Sequence, residues 1–382
     1  MKPGSLFYSL KINNIISCFL VACALFMSVS PAIASSEPAE KFNPGKMITE
    51  HISDAHDWHL WGEGDHAVSI PLPVILYSSE LGLNVFMSSA FHHGHEIHNG
   101  FALKGQKVVV VNEKEGDAHH ATINEEKTAG LWDISITKNV TSLFISIFIL
   151  MWLFMSVAKS YNARPGQAPK GLQGLIEPLV IFVRDDIAKS SIGEKKYKKF
   201  LPFLLTAFFF IWINNLLGLI PIFPGGANLT GSISITMTLA VITLILVLIN
   251  GNKHYWQRIF AMPGVPGWVL FLLTPIEILG FFLRPFVLMI RLFANITAGH
   301  IIALSFFSLI FIFGEMGTGA GIGAAIFSVA FTVFMTCLEL LVAFLQAYVF
   351  TLLSAIYIGA AVEEAHHDSP GHDAKVEEAH LI

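Results

Sequence analysis

Five long apolar segments limit this 382-residue chain to the architectures that a lipid bilayer permits. A helix needs about 20 apolar residues to cross the hydrocarbon core, and each segment reaches that length. The chain is 54% hydrophobic and only 13% charged, whereas soluble domains are about 25% charged. We therefore predict an all-α polytopic membrane protein. Its spanning segments are expected at about 137–158, 200–221, 229–250, 270–313 and 322–361.

The last two segments are longer than a perpendicular span requires, so we expect them to tilt, break or run in the membrane plane. Pro285 lies within the fourth segment, and a glycine-rich run at 314–323 precedes the fifth. Residues 159–199 are strongly basic, which predicts that they face the cytoplasm. Within them, residues 174–187 are typical of an amphipathic helix on the membrane surface. Five spans then place the N-terminus outside and the C-terminus inside a bacterial plasma (inner) membrane.

The parts of the chain on either side of the apolar segments differ in composition. Residues 1–34 resemble a secretory signal peptide, with an uncleaved anchor helix as the alternative. Residues 35–135 are polar and histidine-rich, and their two strand-like runs at 67–77 and 107–112 predict a small extracytoplasmic domain. Residues 136–362 form the membrane domain. Residues 363–382 are acidic and histidine-rich, which favours a disordered cytoplasmic tail.

The histidines of residues 35–135 raise the question of a metal site. Short histidine tracts can bind zinc or copper, but this spacing is not diagnostic and no cysteine accompanies it. A solvated polar surface is the favoured interpretation, so we predict no metal site and no cofactor. No phosphate-binding loop, nucleophile elbow or zinc-hydrolase pattern occurs. We therefore expect neither catalytic residues nor a nucleic-acid partner.

Arg291 lies inside the fourth apolar segment, where a permanent charge costs about 3 kcal/mol. Positions seven apart nearly eclipse on a helix, so Glu277, Arg284 and Arg291 share one face, and Asn295 continues it. Such a stripe predicts a polar path or a facing partner, and that partner should be a carboxylate. An interfacial location is the alternative for Glu277 and Arg284.

The fifth segment carries a second stripe, formed by Glu339, Gln346 and Tyr357. Interhelical hydrogen bonding is the alternative role for Gln346 and Tyr357. If the two segments are antiparallel and Gln346 lies level with Arg291, then His300 and Glu339 meet nearer the outer side. A His/Glu pair there suits a proton relay. On an ideal helix His300 points about 180° away from Arg291, so the two would face different partners.

These residues also carry a family resemblance. The run Arg291-Leu-Phe-Ala-Asn295-Ile-Thr-Ala-Gly299-His300 resembles the signature of subunit a of F-type ATP synthases. The run Asn215-Leu-Leu-Gly-Leu-Ile-Pro221 and the run Leu345-Gln346-Ala347-Tyr348-Val349-Phe350 support the resemblance. It covers about 137–362, and residues 1–135 gain nothing from it.

The resemblance implies a non-enzymatic stator that passes ions to and from a rotating ring of c subunits. Arg291 would face the ring carboxylate and separate two offset half-channels. Four residues match positions associated with the outer half-channel: Asn295, His300, Glu339 and Gln346. Glu277 matches an acidic position near the inner exit, and the secondary candidates are Arg284, Tyr357 and Asn215.

The family pattern is not followed everywhere. Some relatives carry an acid where this chain has His300 and a histidine where it has Glu339, so the pair is exchanged here. Gly218 replaces an acid of some relatives and receives no role. The implied partners are the c-ring, the peripheral stalk of subunit b, the F1 sector, which performs the nucleotide chemistry, and membrane lipid. The ring decides whether the ion is H⁺ or Na⁺.

Two other classes of function remain open from the residues alone. One is a secondary transporter that binds an anion at a midplane arginine, although the chain shows no convincing internal repeat. The other is a histidine-rich metal sensor of the cell envelope with a membrane anchor.

Overall fold

A computed structural model describes residues 43–61, 68–113, 115–220, 223–260, 262 and 265–363. The predicted signal peptide and, apart from Glu363, the predicted acidic tail lie outside the described residues. Within the described residues, five helices are long and apolar enough to cross a membrane. The prediction of an all-α polytopic membrane protein is therefore confirmed, with a β-rich N-terminal domain added to it.

The N-terminal domain contains short strands and two short helices. Helix α1 covers Pro44–Ile52 and α2 covers Glu125–Ala129. The strands are β1 Asp57–Trp61, β2 Val68–Pro71, β3 Pro73–Ser78, β4 Gly82–Met87, β5 Glu96–Ile97, β6 Phe101–Lys104, β7 Lys107–Val110, β8 Gly116–Asp117 and β9 Leu131–Asp133.

These strands form small antiparallel sheets. Strand β3 is central in a sheet of order β4-β3-β9, while β1 pairs with β2, β5 with β8, and β6 with β7. Along β3, Val74 and Leu76 are fully buried and pack with Phe91 and Phe101. The strand-like run at 67–77 therefore contributes one strand to each of two sheets, β2 to the first and β3 to the second. The run at 107–112 contains β7.

Five spanning helices and four shorter helical segments form the described membrane domain. The spanning helices are α3 Lys138–Ala163, α5 Tyr197–Leu219, α6 Ile233–Asn250, α8 Gly267–Met316 and α9 Thr318–Val362. Between α3 and α5, helix α4 (Leu172–Phe182) continues through a π-helical turn, Val183–Lys189, into Ser190–Ile192. Helix α7, Lys253–Phe260, joins α6 to α8. The predicted amphipathic helix at 174–187 thus lies in α4 and the π-helical turn.

Helices α8 and α9 are antiparallel neighbours that meet at Gly317. Helix α8 has 50 residues and contains Pro275 and Pro285. Its length of about 75 Å far exceeds the hydrocarbon thickness of about 30 Å, so it cannot stand perpendicular to the bilayer. The sequence predicted that this segment would tilt, break or run in the membrane plane. The prediction of a break is wrong, because the helix is continuous past both prolines.

Helix α5 forms the centre of the membrane domain. Its residues Leu204, Phe208, Phe209 and Ile211 are fully buried, and α9 packs closely against it. The C-terminal end of α9 is held by Lys196, whose Nζ donates to the carbonyl oxygen of Val362 at 2.8 Å. A cation at this position also complements the helix dipole. This bond ties the end of α9 to the residue that precedes α5.

Candidate functional site

The two polar stripes are aligned by one contact between α8 and α9. The side-chain Nε2 of Gln346 lies 3.5 Å from the backbone carbonyl oxygen of Arg291, and Gln346 is only 4% exposed. The condition under which His300 and Glu339 should meet is therefore satisfied in this structure. On one side of Arg291 along α8, a group of polar residues surrounds His300. On the other side, a second group surrounds Arg284.

The first group lines a cleft that we call the His300 cleft. It is formed by α5, α8, α9 and the loop between α5 and α6. Both members of the expected pair, His300 and Glu339, face this cleft, together with Asn295. Its other polar lining residues are Asn214, Asn215, Asn228 and Thr230.

Two oxygen atoms of the His300 cleft are buried without a hydrogen-bond partner among the described residues. They are Oε1 of Glu339 and Oδ1 of Asn214. A buried acceptor left unpaired costs about 1–3 kcal/mol, so such atoms normally bind water or another proton donor. The cleft is therefore chemically suited to hold water and to pass protons between acceptors.

Close packing brings Glu339 against the backbone of α8. A Cβ placed on Gly299 would lie 2.5 Å from Oε1 of Glu339, so a larger residue there would displace the carboxylate from this position. Gly218, to which the sequence assigns no role, also lines the cleft. A Cβ there would lie 3.7 Å from Nε2 of His300. Helix α5 therefore approaches His300 itself, and α9 approaches the neighbouring Gly299.

Asn215 serves mainly to hold this cleft together. Its Nδ2 donates to the carbonyl oxygen of Ala343 in α9 at 3.2 Å, and its Oδ1 accepts from Oγ1 of Thr230 at 2.6 Å. These bonds are buried and connect α5 with both α9 and the following loop. We infer that Asn215 positions the cleft rather than carrying a proton.

The second polar group surrounds Arg284, which with Tyr357 lines a mainly apolar cleft that we call the Arg284 cleft. Arg284 lies 4.0 Å from Oε2 of Glu277 and 5.9 Å from the ring centre of Tyr357, so three predicted residues meet here. Tyr255 of α7 joins them. Burial raises the pKa of Tyr255, and the nearby Arg284 guanidinium only partly opposes this.

Arg291 lies between the two clefts and is exposed on α8. None of the ion pairs recorded for the described residues includes Arg291, whereas Arg284 has Glu277. Val287, Ala294 and Ala298 are also exposed on this helix and share the face of Arg291 at helical spacing. The small alanines would allow another helix to approach closely.

Sequence reasoning missed two residues of these clefts. Asn214 is the neighbour of a residue in a recognised motif, but it lies on neither polar stripe. Tyr255 belongs to the short helix α7, which only the fold brings beside Arg284. Their positions relative to the two polar stripes carry no signal that could have identified them.

Comparison with known proteins gives two family matches. The model described as ATP synthase A chain matches residues 140–359, which is more than half of the chain. A second model, described as a domain of unknown function (DUF8433), matches residues 47–134.

Individual relatives agree with the first match. ATP synthase subunit a 2 of Chlorobaculum tepidum is 45% identical over 256 residues, covering 65% of this chain and 69% of the relative. ATP synthase subunit a of Chloroherpeton thalassium is 42% identical over 255 residues, covering 64% and 73%. The Myxococcus xanthus subunit a is 38% identical over 251 residues, covering 64% and 78%. The chain therefore belongs to the family of subunit a of F-type ATP synthases.

Proposed function

We propose that this chain is the ion-translocating stator of a rotary ATP synthase, and that it couples proton flow to rotation of a ring of c subunits. The single observation that carries this proposal is the position of Arg291. It is an exposed cation on an apolar helix, between the His300 cleft and the Arg284 cleft, without an acidic partner among the described residues. A carboxylate on the ring would supply the missing partner.

The two clefts correspond to the two half-channels. The His300 cleft, with Asn295, Glu339 and Gln346 beside it, forms the outer half-channel, which opens on the side of the N-terminal domain. The Arg284 cleft, with Glu277 and Tyr357, forms the inner half-channel. Arg291 separates the two, so a proton cannot cross directly and must travel on the ring.

Arg291 acts through electrostatics alone. Its cation favours the ionised form of a carboxylate that passes beside it, whereas lipid favours the protonated form. A ring carboxylate therefore releases its proton into one half-channel before it passes Arg291, and it takes up another proton afterwards. The guanidinium stays charged throughout.

The proposed orientation follows from the charges of the loops. The N-terminal domain lies outside a bacterial inner membrane, and the basic residues 159–199 face the cytoplasm. This orientation places subunit b and the F1 sector as partners on the cytoplasmic side. Nucleotide chemistry belongs to F1, so this chain is not itself an enzyme.

The alternatives derived from the residues have less support. Within the part of the chain that the structure describes, no group of three or more His, Cys, Asp or Glu side chains could hold a metal ion. The relatives bear the name of an ATP synthase subunit, not of a transporter.

Cysteine cross-linking tests which face meets the ring. In a background in which Cys337 is replaced by serine, Ala294→Cys should cross-link to a cysteine placed near the ring carboxylate. Phe148→Cys is the control, because Phe148 is 72% exposed on α3 but lies far along the chain from Arg291. No adduct at position 294, or equal adducts at both positions, would contradict the proposal.

A further inference from the structure

The N-terminal domain is tied to the first turn of α3. Within segment 51–55, the carbonyl oxygen of Ala55 accepts from the backbone N of Lys138 at 2.8 Å, and Oδ1 of Asp54 accepts from the backbone N of Asn139 at 3.0 Å. Nζ of Lys138 donates to the carbonyl oxygen of His51 at 3.2 Å. The first amides of a helix lack partners within the helix, so these bonds satisfy them and fix the segment in place.

The same part of the domain covers the surroundings of the His300 cleft. Helix α1 packs against α8, the helix that carries His300. Trp58, which is 3% exposed, packs edge-on against Phe223 with ring centres 5.2 Å apart. Phe223 belongs to the loop between α5 and α6, and the same loop contributes Asn228 to the cleft. The domain therefore meets the rim of the cleft at two separate places.

Titratable groups are concentrated where the domain meets this rim. The charges that act on His300 are those of His51, which is exposed, and Lys138, which is 8% exposed. Asp54 and Asp57 act on Lys138 and offset its charge. From α9, Glu339 faces the same cleft.

More imidazole–carboxylate pairs surround this point. Nε2 of His56 lies 2.8 Å from Oδ2 of Asp133, and Nδ1 of His93 lies 3.8 Å from Oδ2 of Asp57. Imidazoles change charge near neutral pH, and carboxylates attract protons electrostatically. His56 itself is buried, so exposed groups such as His51 and Asp54 are the ones that can collect protons from water and deliver them to a nearby channel.

We propose that the N-terminal domain covers the outer end of the outer half-channel. Protons pass between external water and the His300 cleft through an entrance beside His51 and Lys138. This inference rests on the proposed function and orientation. It assigns a role to the segment 51–58, which lies within the match to a domain of unknown function. Of the two groups that act on His300, His51 is the exposed one, so it marks the solvent side of the proposed path.

Blocking the proposed proton entrance with a thiol reagent tests this assignment in the complete ATP synthase. The cysteine-free background carries Cys18→Ser, Cys23→Ser and Cys337→Ser, and it receives either His51→Cys or His120→Cys. His120 is an exposed histidine elsewhere in the domain. Intact cells or spheroplasts are treated with a bulky, membrane-impermeant maleimide. Inverted vesicles are then prepared, and ATP-driven proton pumping is measured.

We expect labelled His51→Cys complexes to pump protons roughly tenfold more slowly than the same complexes before labelling. This corresponds to a rise of about 1.4 kcal/mol in the barrier to proton transfer. Labelled His120→Cys complexes should pump normally. The proposed entrance is wrong if the His51→Cys variant is labelled and its pumping is unchanged, or if this variant does not react with the maleimide from outside. It is also wrong if labelling reduces the pumping of the His51→Cys and His120→Cys variants equally. Normal pumping by unlabelled His120→Cys complexes would leave the proposed function standing in each of these cases.

A second variant covers the case in which His51→Cys does not assemble with the ring. Met47 is half-buried on α1 and lies one helical turn before His51, on the same face of the helix. Met47→Cys, labelled in the same way, should also slow pumping, because a bulky group there would lie over the same entrance. Unchanged pumping after complete labelling would contradict the proposed entrance.

Discussion

Nε2 of Gln346 lies 3.5 Å from the carbonyl oxygen of Arg291, and this contact sets the level at which α9 faces α8. The contact involves the backbone of Arg291, so its guanidinium remains available to another molecule. Two clefts then lie on either side of this level, each lined by residues of the same two helices.

Replacing Gln346 by leucine tests this alignment. The loss of one hydrogen bond of about 1 kcal/mol should slow ATP-driven proton pumping roughly fivefold, because α9 would no longer be held at the level of Arg291. The complex should still assemble, since leucine has a similar volume. Wild-type pumping by Gln346→Leu would show that the contact does not matter for transport.

Replacing Gly299 by alanine tests the position of the Glu339 carboxylate. The added Cβ would overlap Oε1 of Glu339, so the carboxylate must turn away from the His300 cleft. We expect proton pumping to fall at least several-fold while the complex stays assembled, because only the end of a flexible side chain has to move. Pumping rates of reconstituted vesicles measure the effect.

Gly280→Ala is the matched control, because a Cβ at Gly280 on the same helix meets no atom within 4 Å. It should pump like the wild type. Combining Gly299→Ala with Glu339→Asp should restore part of the activity, since the shorter acid avoids the methyl group. Equal effects of Gly299→Ala and Gly280→Ala would point to helix rigidity instead.

Exchanging His300 and Glu339 tests whether the two act as a pair. The double variant His300→Glu/Glu339→His keeps one imidazole and one carboxylate in the cleft, so it should retain measurable pumping. Each single variant should pump less than the double variant, because the cleft then holds two acids or two imidazoles. Additive losses in the double variant would show that the residues act independently.

The contact between His56 and Asp133 predicts a pH dependence of the N-terminal domain. Burial by itself raises the pKa of Asp133, but hydrogen bonds from His56 and Ser135 outweigh it and leave that pKa below its usual value. The stabilisation is therefore present above the unfolded pKa of about 3.9, and it is lost as pH falls through the lower folded pKa.

Hydrogen exchange measures this effect at the backbone amide of Ile134, which donates to the carbonyl oxygen of Ile75. Asp133→Asn should speed exchange at neutral pH, and the difference from the wild type should shrink below about pH 4. Glu115→Gln, at an exposed carboxylate, should change little. A difference between Asp133→Asn and the wild type that is independent of pH would contradict the assigned cause.

The sequence predicts the membrane helices well because long apolar runs have few alternatives in lipid. The antiparallel arrangement of α8 and α9 also follows from it, and with that arrangement the shared cleft of His300 and Glu339. The course of α8 does not follow, because its two prolines equally suggest a break. Neighbouring helices can re-satisfy the freed backbone groups, and the helix continues.

Contacts between distant parts of the chain could not be predicted. The pairing of Leu76 in β3 with Asp133 in β9 depends on the packing of the whole domain. The approach of His51 to the membrane domain depends on hydrogen bonds to Lys138, 87 residues away. The role of Asn214 was not predicted, because an amide in an apolar helix is more often structural than functional.

ATP-driven proton pumping by an Arg291→Ala complex tests the central claim most directly. Arg184→Ala is the control, since Arg184 is paired with Asp185 outside both clefts. Both variants should copurify with the c-ring and the soluble ATPase. We predict that Arg291→Ala abolishes pumping and that Arg184→Ala leaves it unchanged. Full pumping by an assembled Arg291→Ala complex would contradict the account of Arg291 as the barrier between two half-channels.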